Sequence, residues 1–181
     1  IKDGVITAWS TAEHLPDPMV WALGETRDGS VWIGTNKGLT KMKDGRVRRT
    51  YTSRDGLVGD VVRAIFEAAD GTMWIGTRGG GLCTLRNGRF TALNGDKAVR
   101  DMVIHAIMQD RDGAIWVGSN GGLTRFKDGV FTTFTTRDGL SSDTVYTIRE
   151  DRDGVLWIGS YGGGLTRLAT GNFSRFTARD G

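Results

Sequence analysis

The chain has 181 residues, 38% of them apolar, with 28 glycines and two prolines, which suits one folded domain rich in tight turns and excludes a disordered chain. Its 24 Lys and Arg against 21 Asp and Glu leave a formal net charge of +3, too small and too evenly scattered for a nucleic-acid surface. Cys83 is the only cysteine, which excludes an intrachain disulfide and a zinc site made of several thiolates, and no apolar run approaches the ~20 residues of a membrane span, so direct membrane insertion is not expected.

The chain opens on IKDGVITAW, without the charged end and apolar centre of a signal peptide, and stops at a Thr-Ala-Arg-Asp-Gly that elsewhere leads on to Leu, as an excerpt of a longer protein would. Residues 4–10 match the segment that follows each later turn: Arg46 to Thr52, Arg89 to Leu93, Val130 to Thr136 and Asn172 to Thr177. Their β-rich, alternating composition predicts an outer strand, D, in each copy. An apolar run then recurs at Val20 to Glu25, Val62 to Glu67, Ile104 to Gln109 and Val145 to Glu150, predicting the inner strand, A.

Next comes an Asp-Gly pair at Asp28, Asp70, Asp112 and Asp153, expected to close a tight A–B hairpin of the primed type, where Gly takes a positive φ. Strand B follows with Trp32, Trp74, Trp116 and Trp157, spaced 42, 42 and 41 residues apart, each two residues before Gly34, Gly76, Gly118 or Gly159. A glycine-rich loop leads to Gly-Leu and strand C, and a second turn, such as Asp44-Gly45, returns to D. A repeat of this length and punctuation describes a blade of a β-propeller.

The expected fold is all-β, a propeller of four-stranded antiparallel blades, about four blades plus one extra strand. Residues 1–10 hold the extra strand, and the blades span 11–52, 53–93, 94–136 and 137–181 of a single domain over 1–181. Propellers typically have 4–8 blades. We therefore favour a partial arc, closed by the remaining blades of a longer chain or by self-association of two copies, over a self-closed four-bladed ring. The tryptophans should fill the space between neighbouring sheets, and the glycine two residues on should permit close approach of the next sheet.

The combination Asp-Gly-x-x-Trp-Ile-Gly-Thr, Gly-Leu, an aromatic strand D, Asp-Gly-Leu and then Asp143, Val145 and Ile148, matched by Asp60, Val62 and Ile65, resembles the two-component regulator propeller repeat. That resemblance implies the extracytoplasmic, periplasmic sensor of a bacterial hybrid two-component receptor, a non-enzymatic module that binds a small polar ligand such as a glycan fragment. It implies no cofactor, and signal output would lie outside this chain.

Function is sought where the copies differ. The second residue of strand A is Trp21, Arg63, His105 and Tyr146, and the B–C loops carry Asn36 and Lys37, then Arg78, Asn120 and Tyr161. On one propeller face these form a polar, stacking site for a sugar-like or anionic ligand; the bland reading is that they only solvate the rim. Glu25, Glu67, Gln109 and Glu150 share one repeat position, and repetition argues against a catalytic pair, which needs two different environments. The Asp-Arg-Asp-Gly strings at Asp110 and Asp151 lack the closing glutamate of a calcium loop and are read as hairpins. His14 and His105, the only histidines, have no partner at metal-ligand spacing, and the Gly-rich tracts lack the Lys-Ser/Thr of a P-loop, so no metal or phosphate-transfer site is expected. Two alternatives stand beside the sensor: a structural or protein-interaction propeller that self-associates into a ring, and an enzyme resembling the streptogramin lyases, which would need a partner for His105.

Overall fold

Sixteen short strands follow one another in the computed structural model, which describes residues 8, 10, 15–93 and 99–177. The first sheet holds β1 (Val20–Glu25), β2 (Val31–Thr35), β3 (Gly38–Lys43) and β4 (Arg46–Tyr51); the second holds β5 (Val62–Glu67), β6 (Met73–Thr77), β7 (Leu82–Arg86) and β8 (Arg89–Ala92). The third comprises β9 (Ile104–Gln109), β10 (Ile115–Ser119), β11 (Gly122–Lys127) and β12 (Val130–Phe134), and the fourth β13 (Val145–Glu150), β14 (Leu156–Ser160), β15 (Gly164–Ala169) and β16 (Asn172–Phe176). Every sheet is an antiparallel meander in chain order, as expected of blades. The expected extra strand over 4–10 lies outside the described residues apart from Ala8 and Ser10, and His14 lies outside them altogether.

The inner strands coincide with the apolar runs read from the sequence, whereas the outer strands end one or two residues early. After β4 and β12 the chain is turned by an aspartate, because Asp60 Oδ1 accepts the Ser53 N–H at 2.7 Å and Asp143 Oδ1 the Thr136 N–H at 2.6 Å. β1 packs beside β5, β5 beside β9 and β9 beside β13, but β1 and β13 have no such packing, so the sheets form an open arc. The self-closed four-bladed ring is thereby set aside.

The primed geometry expected of the A–B hairpins is found at the C–D turns instead. The C–D turns are the primed ones, with both central residues at positive φ: Asp44 at 53° and Gly45 at 69°, then Asn87 with Gly88, Asp128 with Gly129 and Thr170 with Gly171. In the A–B hairpins only the glycine is left-handed, Gly29 at 75°, and its N–H closes a turn onto the Thr26 carbonyl before the ladder resumes. These are wider loops, a turn followed by a left-handed glycine, because the residue before Asp also enters the loop. Asp28 holds its turn by accepting the Thr26 hydroxyl and the Ser30 N–H, which together keep its carboxyl well below the usual range. Asp70 does the same for Thr72. In the third and fourth blades that work passes to Asp110 and Asp151, each of which accepts two turn amides on one oxygen and a tryptophan indole on the other. Both carboxylates are thus engaged in hairpins, as read from the sequence.

Three apolar clusters fill the three junctions between sheets. Trp32 and Leu39 of the first blade meet Val62, Met73, Ile75 and Leu85 of the second; Trp74 and Leu82 meet Ile104, Ile115 and Val117; Trp116 and Leu123 meet Val145, Leu156, Ile158 and Leu168. Each blade therefore has a trailing face that presents Trp and Leu and a leading face that presents branched aliphatics. Connector residues Leu57, Val99 and Leu140 plug the same junctions. A Cβ on Gly34 would sit 2.7 Å from the Val62 Cγ1, and one on Gly118 2.7 Å from the Val145 Cγ1, so strand-B glycine is where the next inner strand presses in. The fourth tryptophan departs from this pattern: Trp157 is only partly buried, since no sheet packs on it among the described residues.

Candidate functional site

The inner strands carry one irregularity in common. Opposite strand B the register slips once in every blade, between Val20 and Ala22, between Val62 and Ala64, between Ile104 and Ala106, and between Val145 and Thr147. The residue left without a partner is Trp21, Arg63, His105 or Tyr146. A bulge turns the side chain of the extra residue away from the alternation of the strand. The four variable positions singled out in the sequence are thus the four bulge residues.

They form a row across the arc. The Arg63 guanidinium lies over the Trp21 ring at 4.0 Å, and the His105 and Tyr146 rings are 4.3 Å apart, with Tyr161 a further 6.0 Å from Tyr146 in an edge-on arrangement. His105 is held below its ordinary pKa first by burial and then by the positive charge of Arg63, so it is neutral at pH 7. Arg63 has no ion pair among the described residues, and its Nε is buried without a hydrogen-bond partner. A row of this kind offers flat apolar faces, one unpaired cation and a neutral imidazole.

The B–C loops contribute unequally. Asn36 accepts the Trp21 indole N–H at 2.8 Å and donates to Asp17 at 3.2 Å, so it fixes the orientation of the first ring. Lys37 sits 3.9 Å from Asp17 and is committed to that pair. The Asn120 side chain accepts the Val103 N–H at 2.9 Å, and the Arg78 main chain bonds Val61, which makes these two braces of the neighbouring connectors. Tyr161, 73% exposed, extends the row outward.

The glutamate position has a role that residue types did not reveal. The Arg27 N–H donates to Glu67 Oε2 at 2.9 Å, the Ala69 N–H to Gln109 Oε1 at 2.7 Å, and the Arg111 N–H to Glu150 Oε2 at 2.9 Å. Each acidic or amide side chain thus ties its blade to the A–B turn of the preceding one, and Arg111 adds a second bond to Glu150 at 2.8 Å. The two made by glutamate are charge-assisted, and such bonds to a backbone amide are strong and oriented. The signal in sequence was the constant register of Glu25, Glu67, Gln109 and Glu150; its partner is a backbone amide, which has no residue signature.

Grooves of about 480, 230 and 510 Å3 open beside these ties at the three junctions. They lie at the A–B and C–D turns, away from the row, and recur because the junction recurs. The largest is lined by Arg111, Trp116 and Glu150 and belongs to the scaffold. Among the described residues no cluster of His, Cys, Asp and Glu is arranged to hold a metal ion, and no helix is long and apolar enough to cross a membrane.

A family model described as two component regulator propeller matches residues 14–37, 56–79, 99–121 and 139–162, together just over half of the chain. No curated protein sequence matches it. Among solved structures, the extracellular domain of a putative hybrid two-component system from B. thetaiotaomicron superposes with a TM-score of 0.83 at 21% identity, covering 92% of this chain and 23% of that one. A second such domain from the same organism gives a TM-score of 0.75 at 20% identity, over 90% of this chain and 25% of that one. Virginiamycin B lyase from Staphylococcus aureus gives 0.68 at 21% identity, over 91% and 57%. At these identities the likeness concerns the fold, and the chain spans about a quarter of the length of the two sensor domains.

Proposed function

Because the chain belongs to the two-component regulator propeller family, we propose that it is a non-enzymatic sensory module whose ligand lies along the row of Trp21, Arg63, His105, Tyr146 and Tyr161. The observation that carries this reading is Arg63, half-buried between the Trp21 ring and the neutral His105 imidazole, with its Nε buried and without a hydrogen-bond partner. A buried guanidinium N–H without an acceptor costs stability, and an anionic group on a ligand would offset that cost. The aromatic faces suit the flat apolar faces of a sugar ring. The ligand class is therefore a small glycan fragment, with an acidic substituent placed against Arg63.

The module works outside the cytoplasm, in keeping with its structural neighbours, and its output belongs to a longer receptor. His105 faces Arg63 and Tyr146, neither of which is the carboxylate that a lyase-type reading would require. Calorimetric titration with neutral and acidic oligosaccharides tests the reading. Arg63→Gln and Tyr146→Ala should each weaken binding at least about tenfold, the scale of one well-placed contact, while Arg78→Gln leaves it unchanged. Equal binding by all variants would overturn the assignment.

A further inference from the structure

Both prolines of the chain flank one aspartate, in the Pro16-Asp17-Pro18 segment that leads into β1. Pro16 has a fixed φ and Pro18 restricts the residue before it to extended backbone, so Asp17 enters the fold with little conformational freedom. It is 8% exposed, and aspartate is seldom buried to that extent without partners. Its Oδ1 accepts the Met19 N–H at 2.9 Å and an Asn36 amide N–H at 3.2 Å, while Oδ2 faces the Lys37 ammonium at 3.9 Å.

These contacts lead into the row. A carboxylate only accepts and an indole N–H only donates, so the Asn36 amide satisfies both neighbours in one orientation alone. Its nitrogen lies on Asp17 and its oxygen on the Trp21 N–H, at 2.8 Å. Trp21 needs such a hold. As a bulge residue, 42% exposed, it stands outside the pairing that fixes the rest of β1, and without a bond its ring would exchange between rotamers. The Arg63 guanidinium stacks on that ring at 4.0 Å and forms no ion pair among the described residues.

We propose that Asp17 is a positioning residue of the sensory site: through Asn36 it fixes the plane of Trp21, and through that plane it holds the Arg63 guanidinium where an acidic ligand meets it. This role rests on the row being the ligand site, and it adds to that site a carboxylate that touches no ligand. Asp17 is engaged by two N–H groups and Lys37, so it orders the row without neutralising Arg63. A cation already held in place loses less side-chain freedom when its ligand arrives, which strengthens binding.

NMR of the Trp21 indole N–H and the Arg63 Nε–H, recorded on the full chain without ligand, tests this. Asn36→Leu removes both amide bonds at similar volume, and Asp17→Ala removes the acceptor behind them; in each the indole signal should move and the Arg63 signal lose the ring-current shift of a stacked guanidinium. Asp17→Asn keeps an oxygen for Met19 and Asn36 and should leave both signals in place. Calorimetry with a uronic-acid disaccharide should show binding weakened at least about threefold by Asn36→Leu and Asp17→Ala but not by Asp17→Asn. In Trp21→Phe, which lacks the indole N–H, Asn36→Leu should add no further loss. An Arg63 signal unmoved by Asn36→Leu or Asp17→Ala would overturn the proposal, as would Asp17→Asn behaving like Asp17→Ala. Failure of the disaccharide to bind the wild-type chain would instead count against the sensory reading, and the ligand-free spectra would still decide the role of Asp17.

Discussion

Trp116 and Trp157 hold the same position in successive repeats, and each donates its indole N–H to the aspartate six residues earlier at 2.7 Å. They differ in what lies beyond the ring. Trp116 is 5% exposed against Val145, Leu156 and Ile158 of the next blade, while Trp157 has Phe176 of its own blade at 6.0 Å and no further sheet on it among the described residues. Trp116→Ala therefore leaves a cavity inside a junction and should cost about 3–5 kcal/mol. Trp157→Ala loses the shared hydrogen bond and partial packing, about 1–2 kcal/mol. For a chain of this size 1 kcal/mol moves the melting temperature by roughly 2–4 °C, so Trp116→Ala should melt roughly 6–20 °C low. Thermal and urea denaturation of dilute protein measure both. Equal losses in the two variants would refute the reasoning, because the hydrogen bond is common to both and only the facing blade differs.

Three further outcomes are expected. Gly118→Ala places a Cβ 2.7 Å from the Val145 Cγ1 and should destabilise by about 1–3 kcal/mol, whereas Gly29→Ala meets nothing within 4 Å and should cost only the ~1–2 kcal/mol of a left-handed backbone; urea titration separates them. Folded His105 binds a proton less readily than the unfolded chain, so its contribution to stability is complete above the ordinary histidine range. It falls as the pH drops through that range and stops falling below the folded pKa; His105→Gln should remove this part of the slope in denaturation curves measured at a series of pH values. Burial pushes the Cys83 thiol up to about 11, so a disulfide reagent at mildly alkaline pH should label it slowly in the folded chain and rapidly once urea unfolds it.

The blades were legible because each inner strand is an apolar run stopped by Asp-Gly, and because four copies average out the ambiguity of any one. The sequence did not distinguish Trp157 from the other three tryptophans, since its exposure depends on a neighbour and not on its own residue type. The same holds for Gly159, where a Cβ would meet only Thr147 of its own blade and no side chain of a further strand. The A–B turns were misassigned because loop width depends on which residues leave the ladder, and the Asp-Gly pair is common to both loop classes. The variable quartet at strand A was visible as a contrast between copies. That each member is a bulge residue was not, because a register slip is a property of backbone pairing and leaves no mark in side-chain chemistry. Lys37, Arg78 and Asn120 stood out by polarity alone; in the fold Lys37 pairs with Asp17, and the Arg78 backbone and Asn120 side chain brace connectors.

The measurement closest to the proposed sensory role is an amide and indole NMR map of the chain titrated with an acidic oligosaccharide. The expected result is a set of shifts confined to the Trp21 indole, Arg63, His105, Tyr146 and Tyr161, with the His105 ring and the Arg63 Nε–H moving together. Shifts at the Arg111 and Glu150 groove instead, with the row unmoved, would contradict it.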